Sequence, residues 1–285
     1  MNKWQENKYI SPTQRLCALI DLDGTMFHGS KKIEGADQLI TALHEWKVPV
    51  LFVTNNSTRT PQQVAELLQS MGIPAQEQDV LTSSQAAVSY IVQHYPNEQI
   101  FMIGEQGLME ALTAAGLEWK NDASCIYDGF EPGVVVQGLD RNFSYAQLEA
   151  AAHAIRKGAR FIATNPDLML PSDKGISPGS GTLTAAIEAA SGQEPFMIGK
   201  PHRTIMEVAL QRLGCTSDEA IVIGDNMLTD IMAGAHANCH TALVLTGVTT
   251  AENYKSFEAK AGITPDLICE DLASLKQWFA DRRGK

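Results

Sequence analysis

The sequence predicts an α/β fold: a doubly wound parallel sheet that carries a second α/β domain as an insertion. Three observations predict it. Continuous apolar runs rich in β-branched residues alternate with segments of helical period, the pattern of parallel strands covered on both faces. Reactive polar side chains (Asp21, Thr54, Lys200 and Asp225) stand at or just past the ends of these runs. Open α/β sheets hold their ligand crevice at those carboxyl ends. A middle stretch, about residues 84–182, repeats the alternation on its own.

Taken in order, LCALID at 16–21 reads as a buried strand and GADQLITALHEWK at 35–47 as a helix. VPVLFVTNN at 48–56 is the next strand, TPQQVAELLQSMG at 60–72 the next helix and DVLTSS at 79–84 a third strand. The middle stretch gives helix SQAAVSYIVQHY, strand QIFMIG, helix GLMEALTAAG, strand GVVVQGL, helix SYAQLEAAAHAIRKG and strand RFIATN. The Pro/Gly-rich PSDKGISPGSGT at 171–182 reads as an irregular return. EPFMIGK then precedes helix RTIMEVALQRLG, EAIVIGDN precedes helix LTDIMAGAHAN, and strand TALVLTG follows. The predicted division is a core of residues 1–83 and 183–285 with residues 84–182 inserted.

A chain of 285 residues is long enough for two domains and a sizeable core. A net charge of −11 argues against a nucleic-acid backbone or an anionic membrane as the main partner. It also fits poorly with an anionic substrate unless a bound cation reverses the local field. The five cysteines (Cys17, Cys125, Cys215, Cys239 and Cys269) are scattered and form no CxxC pair, the usage of reduced cytoplasmic thiols. The polar start MNKWQENKYISPTQR does not read as a signal peptide. No apolar run approaches the ~20 residues of a membrane helix. A cytoplasmic location is expected.

Asp21 and Asp23, two residues apart at the end of a buried strand, need a reason, since unpaired buried charge costs several kcal/mol. They fit three readings. One is an Asx-turn or helix cap. A calcium loop would need oxygen ligands at positions 1, 3, 5 and 9, Gly at 6 and Glu at 12. Counting from Asp21, Gly24 falls at position 4 and Lys32 at 12, so that pattern fails. The third is covalent catalysis with Mg²⁺, in which one carboxylate attacks phosphorus and the other handles the leaving-group proton. It requires a further acidic ligand, a cation for the phosphoryl charge, and a hydroxyl or amide for the oxygens. Asp225, Lys200 and Thr54-Asn55 supply those parts.

DLDGT at 21–25, FVTNN at 52–56, GKP at 199–201 and IGDNMLTD at 223–230 resemble, in order and spacing, the four motifs of the haloacid dehalogenase superfamily. TNN, GARFIATNPD and PGSGTL also resemble its NagD-like phosphatase branch, and the likeness runs from about Leu16 to Phe279. The resemblance implies a Rossmannoid core, a C2-type cap inserted after the third core strand, and an Mg²⁺-dependent phosphatase. It implies Asp21 as nucleophile and metal ligand. Asp23 becomes general acid/base, with its backbone carbonyl on the metal, and Asp225 the third ligand. Thr54, Asn55, Asn56 and Lys200 would hold the phosphoryl group. Asn226 and Asp230 would support the site from behind, and Gly24 would let the backbone turn closely around the phosphate. The substrate would be a small phosphorylated metabolite: a nucleotide, sugar or aryl phosphate. Relatives often pair through the cap, so a homodimer is the expected assembly.

HANCH (His236, Cys239, His240) is a weaker signal. An i,i+4 His pair needs one continuous helix, and Asn238 reads as a left-handed cap that sends His240 elsewhere. PGSGT could cradle a phosphate or simply turn before a helix. Relatives selective for pyridoxal phosphate carry a histidine where this chain has Leu170, which makes Leu170 the cap position to test for specificity. Rival functions are a phosphotransferase or phosphomutase on the same core, and a non-catalytic metabolite-binding protein.

Overall fold

The computed structural model describes residues 4–11, 14–172 and 175–283. Two units emerge. The first takes Met1–Thr54, Gln62–Leu81 and Lys200–Lys285, and the second takes Asn55–Pro61 and Thr82–Gly199.

The first unit is organised by a seven-stranded sheet in the order Trp4–Glu6, Leu267–Cys269, His240–Val244, Ala220–Gly224, Cys17–Ile20, Val50–Thr54, Val80–Thr82. The central pairings are parallel, and Trp4–Glu6 closes one edge antiparallel to Leu267–Cys269. CALI, VLFVT, AIVIG and HTALV are buried along their whole length, as strands covered on both faces must be. Leu39, Leu43, Phe52, Leu68, Ile223 and Trp278 are among the residues of its core. The chain builds outward from Cys17–Ile20 in both directions. That strand is therefore the switch point, and the ends of its two neighbours lie beside its own. Ile20 pairs with Ile223 on one side and Phe52 on the other, so Asp21, Gly224 and Val53 are level.

The second unit has its own parallel sheet, in the order Phe196–Met197, Arg160–Ala163, Val134–Gln137, Ile100–Ile103, Trp119–Lys120. Phe101, Ile103, Val135, Phe161 and Ile187 fill its core, with alanines of helix Tyr145–Arg156 packed closely on them.

Stretches predicted for the core fall in the second unit, and the predicted irregular return is partly regular. Residues 183–199 belong to the second unit, because EPFMIGK adds Phe196–Met197 to the edge of the second sheet (Ile162 opposite Phe196) instead of joining the first. The second unit also claims 55–61. There Leu139 N–H donates to Ser57 Oγ (3.0 Å), Ser84 Oγ to Ser57 O (2.8 Å) and Gly107 N–H to Thr58 O (2.9 Å). The supposed irregular return contains a hairpin, Met169–Ser172 against Gly175–Pro178, and then helix Ser180–Ser191.

At Asn238 the local reading stands. Asn238 is left-handed at φ 59°, and it ends the turn that starts from helix Met232–His236. His236 Nδ1 lies 2.9 Å from Pro201 O, while His240 starts a buried strand with Nδ1 3.8 Å from Asp266 Oδ2. Among the described residues no helix is long and apolar enough to cross a membrane.

Candidate active site

Three strand ends of the first sheet converge on one patch of charge. Asp21 follows Cys17–Ile20, and its N–H donates to Ile223 O at 2.9 Å. Asp225 follows Ala220–Gly224, and Thr54 closes Val50–Thr54, buried. Asp230 comes from the short π-helical segment Met227–Ile231, whose first turn Asn226 caps by accepting from Leu228 N–H at 2.9 Å. π-Turns of this kind recur at functional sites. Asn226 N–H also donates to Asp230 Oδ2 at 3.1 Å.

Lys200 ties these parts together. Its buried ammonium pairs with Asp21 Oδ1, lies 2.7 Å from Asp230 Oδ1 and donates to Val53 O at 3.0 Å. Thr25 is fully buried, and its hydroxyl reaches both Asp21 Oδ2 (3.3 Å) and Asp225 Oδ1 (3.1 Å). The remaining Asp225 oxygen accepts from Val248 N–H at 2.6 Å.

The electrostatics follow from burial. Desolvation pushes Asp21 well above the usual carboxylate range and the charge of Asp230 adds to it, with Lys200 opposing. Burial and Asp230 push Asp225 up to about 6, against the Val248 N–H and the Thr25 hydroxyl. Burial alone would lower Lys200, but Asp21 and Asp230 outweigh it and hold the ammonium above its ordinary value. Asp21, Asp225 and Asp230 each place a carboxylate oxygen within 4.8 Å of the others, and Lys200 is the cation paired with Asp21 and Asp230. That arrangement leaves surplus negative charge. A hard cation held by these oxygens would offset it, so the donor set fits a divalent metal ion.

The other predicted residues fall into two groups. Asp23 is exposed beside the pair, in the turn where Gly24 N–H donates to Phe27 O (2.8 Å). Gly24 has φ +91°, and the space it leaves is taken by Asp225. A Cβ there would stand 2.4 Å from Asp225 Oδ2. The left-handed φ and the close approach of this carboxylate both call for glycine here. Asn55, Asn56 and Leu170 belong to the second unit. Asn55 Nδ2 donates to the Asp167 carboxylate (3.2 and 3.4 Å), and Asn55 O accepts from Ser83 Oγ and Asn165 Nδ2. Asn56 Oδ1 accepts from Thr58 N–H, Thr58 Oγ1 and Arg59 N–H, which makes it an Asx-turn residue. Leu170 is half-buried in the hairpin, opposite Ser177.

Two contributors escaped sequence reasoning. Thr25 lies inside the quoted DLDGT motif, where a hydroxyl among carboxylates was a visible signal. Val248 acts through its backbone N–H, which has no side-chain signature.

Comparison with known proteins agrees with this geometry. The model of the haloacid dehalogenase-like hydrolase family matches residues 18–118, and that of HAD-hydrolase-like chains matches residues 197–275. An acid sugar phosphatase of Staphylococcus epidermidis is 45% identical over 254 residues, covering 89% of this chain and 94% of that protein. The 5'-nucleotidase YutF of Bacillus subtilis is 44% identical over 235 residues, 82% of this chain and 89% of that one. The structure of a p-nitrophenyl phosphatase from Archaeoglobus fulgidus superposes with a TM-score of 0.85 at 33% identity, covering 93% of this chain and 99% of that one.

Proposed function

The chain belongs to the haloacid dehalogenase-like hydrolases and is a phosphatase of that family; from that premise we propose an Mg²⁺-dependent phosphomonoesterase that hydrolyses small phosphorylated metabolites through an aspartyl-phosphate on Asp21. The observation that carries this reading is the surplus of buried carboxylate around Asp21, with Lys200 as the cation paired to it. The names of the relatives favour sugar phosphates and nucleoside monophosphates as the substrate class.

The first unit is the catalytic core in this reading. An Asp21 oxygen attacks phosphorus and the ester P–O bond breaks. The departing oxygen takes a proton from Asp23, whose exposure suits it to reach a leaving group. Water then attacks the aspartyl-phosphate, Asp23 takes a proton from that water, and phosphate and Asp21 are released. Thr54 and Lys200 hold phosphoryl oxygens, with Asn55 and Asn56 as further candidates. Asp21, Asp225 and the backbone carbonyl of Asp23 would hold Mg²⁺, with Asp230 keeping Lys200 in place. Bound there, Mg²⁺ neutralises phosphoryl charge.

The test is hydrolysis of p-nitrophenyl phosphate and a panel of sugar phosphates and nucleoside monophosphates, with Mg²⁺ and after exhaustive chelation. Turnover only with Mg²⁺ is expected, and full activity in chelated protein would overturn the metal role. The second unit is the cap in this reading, and Leu170 is its candidate for specificity. Leu170→His should shift relative kcat/KM among substrates by about 1–3 kcal/mol, the scale of one changed pocket contact. Equal scaling of every substrate would remove Leu170 from that role.

A further inference from the structure

The stretch 245–250 after strand His240–Val244 carries no charged side chain, yet it bonds to the turn bearing Asp23, to Asp225 and to the start of the segment bearing Asp230. Thr246 Oγ1 donates to Gly24 O at 2.9 Å, in the turn that bears Asp23. Val248 N–H donates to Asp225 Oδ2 at 2.6 Å, and Thr249 N–H donates to Asp225 O at 3.1 Å. The fully buried Thr249 hydroxyl accepts from Met227 N–H at 3.2 Å, at the start of the segment that carries Asp230.

Gly247 is the decisive position. A Cβ there would stand 2.1 Å from Asp225 Oδ2, 2.5 Å from its carboxyl carbon and 2.8 Å from Gly24 O. A Cβ on Gly24 would meet the same carboxylate at 2.4–2.6 Å. The Asp225 carboxylate thus lies between two bare stretches of backbone. The two glycines differ in one respect. Gly24 needs a left-handed φ, whereas Gly247 is absent from the positive-φ glycines, so backbone conformation gives no reason for it. The proximity of Asp225, and of Gly24 O beside it, does.

We propose that Gly247 and Thr249 are positioning residues of the phosphatase site: Gly247 admits the Asp225 carboxylate at its one usable orientation, and Thr249 locks the Asp225 turn to the segment holding Asp230. The inference rests on the reading of Asp225 as a metal ligand. Groups that orient ligands from behind typically change metal affinity or activity about 10- to 100-fold when lost.

The test measures Mg²⁺ binding by calorimetric titration of the full chain, alongside melting temperature and kcat and KM for p-nitrophenyl phosphate. Gly247→Ala should weaken Mg²⁺ binding about 10- to 100-fold, with KM at saturating Mg²⁺ little changed. Thr249→Val should weaken it in the same direction, and Thr249→Ser, which keeps the hydroxyl, should restore most of the loss. A merely structural loop would lower the melting temperature of these variants and leave Mg²⁺ affinity alone. Wild-type Mg²⁺ affinity in folded Gly247→Ala, or equal affinities in Thr249→Val and Thr249→Ser, would overturn the proposal. If Gly247→Ala does not fold, the threonine pair decides. Asp225→Asn separates the two levels. Should it keep wild-type Mg²⁺ affinity, the ligand reading falls and this inference with it. Should it lose Mg²⁺ while Gly247→Ala and Thr249→Val do not, this inference alone falls.

Discussion

Both units of this chain build a parallel α/β sheet, and both put polar residues at the ends of their central strands. The first unit ends its strands in Asp21, Asp225 and Thr54. The second ends Val134–Gln137 in Gln137 and follows Arg160–Ala163 with Thr164 and Asn165. Those neutral groups are satisfied locally. Gln137 Nε2 donates to Ser180 Oγ at 3.0 Å, Thr184 Oγ1 donates to Gln137 Oε1, and Asn165 Nδ2 donates to Asn55 O at 2.8 Å. In the first unit three carboxylates cluster, and one ammonium pairs with two of them. A strand end alone, then, does not make a reactive site. Charge left uncompensated at that strand end does, because the protein tolerates its cost for chemistry or a bound ion.

The most severe way to break the comparison is to remove the central charge. Asp21→Asn should lower kcat on the order of 10⁴-fold or more, the scale seen when a nucleophile or its essential partner is lost. An amide attacks phosphorus poorly. Steady-state kinetics with p-nitrophenyl phosphate checks it. A loss under tenfold would mean that the attacking group lies elsewhere.

Removing the compensating charge should cost stability. Lys200→Met keeps the length of the side chain but leaves Asp21 and Asp230 buried without their cation. Breaking a buried pair from one side costs about 3–5 kcal/mol. Denaturant titration in chelator should show that loss, and Mg²⁺ should return part of it. A loss below about 1 kcal/mol, the scale of an exposed pair, would mean that the cluster carries no surplus charge.

Much of this contrast was legible in the sequence, for a physical reason. A carboxylate at the end of a fully apolar run is locally anomalous, so Asp21 and Asp225 declared themselves from a few neighbouring residues. Lys200 was found as well, but the strand before it was given to the wrong sheet. Phe196–Met197 is short, and either sheet edge could have received it. Only long-range pairing to Arg160–Ala163 decides. Trp4–Glu6 was missed for the same reason, as a three-residue edge strand defined by its partner Leu267–Cys269. Asn55 and Asn56 look alike in TNN, yet Asn56 closes a turn while Asn55 bonds to Asp167. The Gly247–Val248 contribution is backbone alone, and backbone groups are identical at every position until the chain is folded.

The charge surplus also predicts a pH dependence of stability. In metal-free protein Asp225 is raised from 3.8 to about 6 by burial and by Asp230. The folded state therefore binds the proton more tightly than the unfolded chain. This group costs nothing below about pH 4, and its penalty grows as pH rises through 6 and stays full above that. Such a shift corresponds to roughly 3 kcal/mol at 1.36 kcal/mol per unit. Asp21, raised for the same reasons, acts in the same direction. Melting temperature in chelator should fall between pH 4 and 7, and saturating Mg²⁺ should flatten the curve. A melting temperature that rises over that range without metal would contradict the buried surplus.

The smallest expected effect sharpens the comparison from the other side, by giving the second unit a charge it lacks. Gln137 is fully buried, and its amide donates to Ser180 while its carbonyl oxygen accepts from Thr184. Gln137→Glu keeps the shape and the acceptor but replaces the donating NH₂ with a second oxygen. That oxygen would face Ser180 O, whereas the Asp21 carboxylate faces the Lys200 ammonium. The loss should be about 1–3 kcal/mol at pH 7, because protonation of the new carboxyl limits the cost by restoring a donor. Its pKa in the folded state must then lie above the ordinary value. By the same linkage the loss should shrink as pH falls toward 5. Turnover per folded molecule should stay near wild type, since the group lies outside the residues assigned to phosphoryl transfer. Denaturant titrations at pH 5 and 7, paired with kcat, measure both halves. A variant as stable as wild type at both pH values would show that the second sheet accepts an unpaired charge as readily as the first. The contrast between the two strand ends would then have to rest on something other than compensation.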